Sequence, residues 1–211
     1  MELLATIRAR RSVKCYDASH RLSESELRHL LSFSVLAPSS FNMQNWQFVV
    51  VTERPVQEQI CAAGWNQAQL RDASATIVLC GNLRGWENTQ RYLRKAPEEV
   101  QQMFGGMVPG LYKGKEAFQR DEALRSVGLV GMNMMLVAKD MGYDTCPMIG
   151  FDAAKVSEIV KLPADVPPMM IITLGKAKEV ARPRMGLLDL EEVVSMNYFG
   201  NRTLTGEVDD S

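Results

Sequence analysis

Histidine is scarce in this chain, and its few cysteines stand far apart. The 211 residues include two histidines and four cysteines, and no two cysteines form a CxxC pair. There is no HExxH stretch either, so the sequence shows neither the spacing of a zinc site nor that of a redox dithiol. Isolated free thiols instead favour a reducing compartment.

The motifs that mark several large enzyme classes are also missing. The chain has no GxGxxG fingerprint, no GxxxxGK phosphate loop and no GxSxG nucleophile elbow. These absences argue against a Rossmann dehydrogenase, a P-loop nucleotidase and an α/β-hydrolase. If the protein is an enzyme, we therefore expect a bound cofactor to carry the reaction.

Neither a large excess of one charge nor a long hydrophobic run is present. The net charge is -1, so no global field attracts nucleic acid or an anionic membrane. The longest mostly apolar segment, residues 127–138, is too short to span a bilayer. The first residues lack the basic region and apolar core of a signal peptide. We therefore predict a soluble cytoplasmic protein that binds neither nucleic acid nor membrane.

The composition is that of an ordinary globular protein, with 46% hydrophobic and 23% charged residues. Short apolar runs rich in β-branched residues predict strands at 48–51, 75–81 and 168–174. Apolar residues at helical spacing predict helices at 2–11, 23–36, 56–65, 121–141 and 153–160. No repeat or linker divides the chain. We therefore predict a single α+β domain over residues 1–211, with a sheet between helices.

Two helical regions have an unusual character. Residues 86–120 are mostly polar, with scattered aromatic residues and several glycines, which predicts a helical excursion with a flexible centre outside the core. It could serve as a lid, as a partner-facing arm or as a surface insertion without function. The helix at 121–141 is apolar on every side, so it is either the central helix of the domain or part of a dimer interface.

Two polar stretches stand out in the N-terminal part of the chain. The first, Arg10-Arg11-Ser12-Val13-Lys14, continues a cluster of cations beyond the end of a predicted helix. The second, Pro38 to Asn42, is a turn held between a helix and a strand, where scaffolds often position binding residues. Each also has a plain explanation. Arginine is favourable near the end of a helix, and a turn can be a simple connection.

Together these stretches resemble the two N-terminal signatures of the nitroreductase family, which binds flavin mononucleotide (FMN). Three further stretches, Asn66 to Gln69, Pro147 to Asp152 and Arg182 to Arg184, extend the resemblance over nearly the whole chain. The resemblance implies a central, mainly antiparallel sheet flanked by helices. It also implies a homodimer that exchanges C-terminal tails and holds two flavins at its interface.

The resemblance assigns FMN-binding roles to residues from all five stretches. The flavin phosphate needs guanidinium and hydroxyl donors, and the ring edge needs amides and a cation. The assigned residues are Arg10, Arg11, Ser12, Arg182 and Arg184 around the phosphate and ribityl chain, Lys14, Asn66, Gln69, Ile149 and Gly150 around the ring, and Pro38, Ser39, Ser40 and Asn42 from the partner subunit. Lys14 would lie near N1 and O2 of the ring, where a cation favours the reduced flavin.

Two positions depart from the family pattern. Gln69 stands where the family often has lysine, so a donor is kept but a charge is lost. Ile149 stands where well-known members have glutamate, which keeps a backbone donor for flavin N5 but removes a carboxylate from the substrate site. The change at Ile149 affects the expected substrate preference and leaves the expectation of FMN binding in place.

The main hypothesis is an FMN-dependent oxidoreductase of nitroreductase type that uses NADH or NADPH. The nicotinamide would pass hydride to flavin N5, and a small acceptor such as a nitroaromatic or a quinone would then take the electrons. No side chain need act as acid or base. Two alternatives stay open: another flavin reaction on the same fold, such as dehalogenation, flavin fragmentation or heterocycle dehydrogenation, and a non-enzymatic flavin-binding protein.

Overall fold

The computed structural model of the chain describes residues 2–202 and residue 206. The helices are α1 (Leu3–Ala9), α2 (Glu24–Ser34), α3 (Arg54–Ala63), α4 (Gln69–Asp72), α5 (Thr89–Leu93), α6 (Glu98–Tyr112), α7 (Glu116–Asp140), α8 (Ala153–Ile159) and α9 (Leu190–Val193). The strands are β1 (Trp46–Val51), β2 (Ala75–Gly81), β3 (Asp144–Met148) and β4 (Pro168–Gly175). Short 3₁₀ turns cover Ser40–Asn42 and Gly85–Glu87.

These strands form an antiparallel sheet in the order β1, β2, β4, β3. The strand predicted at 75–81 has the bounds of β2, and the other two predicted strands are confirmed within β1 and β4. Sequence reasoning missed β3, because Asp144 and Pro147 interrupt its apolar pattern. This strand lies at an edge of the sheet, where a proline is tolerated because one side needs no ladder hydrogen bond.

Buried side chains cover both faces of the sheet. One cluster contains Leu79 of β2 and Val130 of α7. The next residue back, Val78, points to the opposite face and belongs to a second cluster with Ile60 of α3 and Val156 of α8. Each face of the sheet is thus covered by helices, which confirms the predicted α+β architecture.

Helix α7 buries one side and leaves another in solvent. Val130 and Met134 are fully buried against the sheet. A Cβ atom at Gly131 would lie 3.2 Å from the side chain of Leu79, so the glycine permits a close approach of α7 to β2. The other side exposes Leu129 and Met132, which are 47% and 39% accessible. A single chain therefore does not bury every side of this apolar helix.

Helix α2 is fixed at both ends by side chains. The predicted capping box is confirmed: the Ser23 hydroxyl accepts from the Glu26 backbone N–H, and the Glu26 carboxylate accepts from that of Ser23. At the other end, the Asn133 amide of α7 donates to the carbonyls of Phe33 and Ser34 at 2.9 and 3.0 Å. These bonds satisfy groups that a helix terminus leaves without partners, and they tie α2 to α7.

Residues 86–120 differ from the predicted excursion. Gly105, Gly106, Pro109 and Gly110 do not interrupt α6, which runs unbroken through them, whereas Gly114 lies between α6 and α7 at a φ of 70°. The expectation that this segment lies apart from any core is wrong, since Val108 and Tyr112 are 0% and 1% exposed and form a buried cluster with Tyr92. A small apolar core of its own therefore holds α5 and α6 in place.

The C-terminal part of the chain extends beyond the sheet and carries α9. Tyr198 and Phe199 are exposed to solvent, as expected for a single chain if they pack on a partner. The predicted tail exchange also involves residues 203–205 and 207–211, which lie outside the described residues, so it stays a prediction. Among the helices of the described residues, none has the length and apolar character needed to cross a membrane.

Candidate cofactor-binding site

The segment Ser12–Asp17 lies between β3 and the chain that follows β4. On one side, the Val13 backbone N–H donates to the Thr145 carbonyl at 3.0 Å. On the other side, the Lys178 N–H donates to the Cys15 carbonyl at 2.9 Å. These backbone bonds bring the N-terminal cations of the sequence beside the start of the C-terminal extension.

Arg184 completes this junction from the far end of the chain. Its Nη2 atom donates to the carbonyl of Ile7 at 3.2 Å, and it lies 3.5 Å from the carbonyls of Arg8 and Arg10. Burial lowers the pKa of Arg10, and the nearby cations of Arg184 and Arg11 lower it further. Several guanidinium groups are thus concentrated at one place, and a bound anion would relieve their repulsion.

A cleft of about 160 Å³ opens beside these cations. Ser12, Lys14 and Arg182 line it, together with Glu179. Lys14 is also close enough to Cys146 of β3 to affect its pKa. Burial raises the pKa of the Cys146 thiol, and the positive charges of Lys14 and Arg10 lower it. Cationic groups with a serine hydroxyl suit the phosphate of FMN, whereas the Glu179 carboxylate opposes an anion at its own end of the cleft.

The two stretches predicted to hold the flavin ring also meet. The Gln67 amide donates to the carbonyls of Gly64 and Gly150 at 3.1 and 3.0 Å. The Asp152 N–H donates to the Ala63 carbonyl at 2.9 Å. The loop after α3 and the loop after β3 are therefore held side by side.

Close packing explains the glycine in the second of these loops. A Cβ atom at Gly150 would lie 2.8 Å from the Trp65 ring, so a larger residue would displace the tryptophan. Trp65 and Asn66 both have positive φ angles, of 56° and 57°, in a region that residues other than glycine seldom adopt. Asn66 is exposed at this junction, as its predicted role requires.

Ile149 and Gln69 have contrasting surroundings. Ile149 is 80% exposed, and no hydrogen bond between described residues uses its backbone N–H or that of Gly150. Among the described residues, neither N–H group therefore has a hydrogen-bond partner, and the predicted contact with flavin N5 stays a prediction. Gln69 is buried instead, and its amide donates to the Gln67 side chain at 3.3 Å. Its predicted contact with the ring stays a prediction.

The stretch from Pro38 to Asn42 lies elsewhere on the chain. The Ser39 hydroxyl accepts from the Gln44 N–H at 2.9 Å, and the Ser40 hydroxyl accepts from the hydroxyl of Tyr112 at 3.2 Å. Among the described residues, no hydrogen bond joins this stretch to the Arg10 or Gln67 groups. Hydrogen bonds between described residues join the other four stretches in two pairs, through Arg184 with Arg10 and through Gln67 with Gly150.

Sequence reasoning missed three residues that shape the site. Gln67 joins the two loops predicted to hold the ring, and Trp65 covers Gly150. Cys146 is close enough to Lys14 and Arg10 for their charges to lower the pKa of its thiol. Gln67 lies inside a stretch that had been singled out, between Asn66 and Gln69. Its position there was the available indication, whereas the contacts of Trp65 and Cys146 arise only in the folded chain.

Comparison with known proteins shows the family to which the chain belongs. Residues 7–176 match the model of the Nitroreductase family. Protein DrgA of Synechocystis sp. is 44% identical over 182 residues, which are 86% of this chain and 87% of DrgA. The oxygen-insensitive NADPH nitroreductase of Helicobacter pylori strain J99 is 32% identical over 180 residues, covering 79% of this chain and 83% of that protein. A solved structure from Exiguobacterium sibiricum, described as a nitroreductase in complex with FMN, has a TM-score of 0.85 and 28% identity, and the match covers 93% of this chain and 97% of that one. The chain belongs to the nitroreductase family.

Proposed function

We propose that this protein is an FMN-dependent oxidoreductase, a single FMN-binding domain that uses NADH or NADPH to reduce a small acceptor such as a nitroaromatic or a quinone. The observation that carries the proposal is the contact of Arg184 with the carbonyls of Ile7 and Arg10. It gathers the cations of the two ends of the chain where a phosphate-bearing cofactor can bridge them. The two ring-facing loops are held together by Gln67.

Different residues of the chain would bind different parts of FMN. Arg10 and Arg184 would bind the phosphate, and Ser12 would add a hydroxyl donor. Arg182 shares its end of the cleft with Glu179, so we place the phosphate nearer Arg10 than Arg182. Lys14 would hold a positive charge at the pyrimidine edge of the ring.

The ring-facing loops and the chemistry of the cofactor complete the proposal. Bound FMN would supply a hydride acceptor at N5, which a nicotinamide can reduce and a small oxidant can reoxidise. The backbone N–H groups of Ile149 and Gly150, which no other described residue bonds, would orient that edge of the ring. With isoleucine at 149, the chain itself offers no carboxylate there, so it selects acceptors by shape and access.

We propose that the protein is a homodimer and that its FMN site is completed by the partner chain. An apolar groove of about 490 Å³ runs between α2 and α7, lined by Phe33, Leu36, Pro38, Leu129 and Met132 among others. Pro38 is also the first residue of the stretch assigned to the partner's flavin. Covering this groove with a second chain would bury apolar surface and bring Ser39, Ser40 and Asn42 towards the other subunit's site.

The proposal is tested by the cofactor that the purified protein retains. We expect a yellow protein that releases FMN, and not FAD, on denaturation, because the cationic site fits one phosphate and the chain lacks a dinucleotide fingerprint. The same preparation should oxidise NADH or NADPH when menadione is added. A colourless protein that ignores added FMN would refute the proposed function, and a yellow protein that no nicotinamide reduces would support the non-enzymatic alternative.

Lys14→Met should lower the reduction potential of the bound flavin and slow its reduction. The substitution removes the cation that favours negative charge on the reduced ring, and losing one such contact typically slows a reaction by about 10²-fold. Stopped-flow reduction and a redox titration measure both effects. Lys113→Met removes another exposed lysine, which lies outside the site, and serves as the control. An unchanged potential with FMN still bound would show that Lys14 does not face the ring.

A further inference from the structure

A second concave site lies between the turn after Pro38 and helix α5. It has a volume of about 310 Å³ and is lined by Asn42, Gln44, Arg91, Tyr92, Arg94 and Lys95. The cations around Arg10 and Arg184 do not contribute to its lining. It therefore needs an explanation separate from the predicted phosphate site of FMN.

The charge of this pocket has one sign. Three of its lining residues are cations and none is a carboxylate. No ion pair between described residues includes Arg91, Arg94 or Lys95. Arg91 is fixed across the pocket by its bond to the Gln44 carbonyl at 3.2 Å. Like charges gathered around a concave surface without counter-charge favour the binding of an anion.

Tyr92 is the buried member of the pocket lining. Its side chain is 7% exposed, and its hydroxyl has no hydrogen-bond partner among the described residues. A buried hydroxyl without a partner is unfavourable. Burial raises the pKa of Tyr92 to about 12, so the group keeps its proton at neutral pH and can donate it.

We propose that this pocket binds a phosphate dianion, and that its source is the 2′-phosphate of NADPH. Two guanidinium groups and an ammonium group make a donor set that suits a dianion better than a monoanion. Asn42 belongs both to this pocket and to the stretch assigned to the partner's flavin, which places the pocket at the rim of the proposed active site. The assignment to NADPH thus rests on the proposed function, whereas the capacity to bind phosphate does not.

Binding of 2′,5′-ADP to the purified full-length protein, measured by calorimetry, tests the pocket directly. We expect 2′,5′-ADP to bind at least about tenfold more tightly than 5′-AMP, since a charge-assisted hydrogen bond contributes that much. Arg94→Gln with Lys95→Gln should abolish this difference. Lys113→Gln with Lys115→Gln removes the same charge from exposed positions nearby and should leave the difference unchanged.

Steady-state kinetics separates the sources of the phosphate. The ratio of KM for NADPH to KM for NADH should rise about tenfold in the Arg94 and Lys95 double variant. Equal binding of 2′,5′-ADP and 5′-AMP to the wild-type protein would refute the proposal that this pocket binds a phosphate dianion. If inorganic phosphate binds there while this ratio stays the same in the variant, the assignment to NADPH is overturned. A colourless protein that still binds 2′,5′-ADP through Arg94 and Lys95 would support the pocket while refuting the flavoenzyme.

Discussion

The double variant with Arg10→Gln and Arg184→Gln should be a folded protein that no longer retains FMN during purification. The two guanidinium groups converge at the end of α1, where Arg184 lies against the carbonyls of Ile7 and Arg10. Each charge-assisted contact with a phosphate contributes about 1.5–3 kcal/mol, so losing both should weaken FMN binding by about 10²- to 10⁴-fold. Titration of the FMN-free protein, followed by quenching of flavin fluorescence, measures this change.

The control for this experiment removes the same charge elsewhere. Arg28 and Arg120 are exposed residues on α2 and α7, and their double glutamine variant should bind FMN like the wild type. Arg10→Lys keeps the charge but loses the planar fork of the guanidinium, so it should bind with intermediate affinity. Thermal unfolding without FMN shows whether each variant is folded. Wild-type affinity in a folded Arg10 and Arg184 double variant would contradict the phosphate assignment.

The sheet and its helices could be predicted largely from local patterns. Strand β2 is buried at every residue, so its continuous apolar run identified it with the right bounds. Ser23 and Glu26 marked the start of α2 through a capping box that depends only on neighbouring residues. The edge strand β3 was missed, because its place in the sheet depends on pairing with β4 and not on its own composition.

Only those residues of the candidate site that lie in short sequence motifs could be predicted. Arg10 and Arg184 were both predicted to bind the phosphate. Nothing in the sequence between them shows that they meet in the fold, since they are 174 positions apart. Similarly, the sequence gives no sign that Tyr92 is buried without a hydrogen-bond partner, because its surroundings come from α5 and α6 packing together. Contacts between distant segments decide both features, and local periodicity contains no information about them.

The exposed side of α7 connects the FMN site with the proposed dimer. Leu129 and Met132 line the groove that also contains Pro38, so one surface joins the apolar helix to the stretch expected to reach the partner's flavin. FMN bound at such an interface would stabilise the assembled dimer, and the dimer would in turn favour FMN binding. Disrupting the groove should therefore affect both properties at once.

Leu129→Glu combined with Met132→Glu should convert the protein to a monomer and lower its FMN content. Burying unpaired carboxylates in an apolar interface costs several kcal/mol, which corresponds to an increase of about 10³-fold or more in the dimer dissociation constant. Sedimentation and flavin absorbance, measured on one sample, follow the two effects together. Ala154→Glu adds a charge at an exposed position of α8, on the opposite face of the sheet, and should leave a yellow dimer. A double variant that stays dimeric would show that this groove is not the interface, and one that is monomeric yet fully yellow would show that FMN needs no residue from a partner.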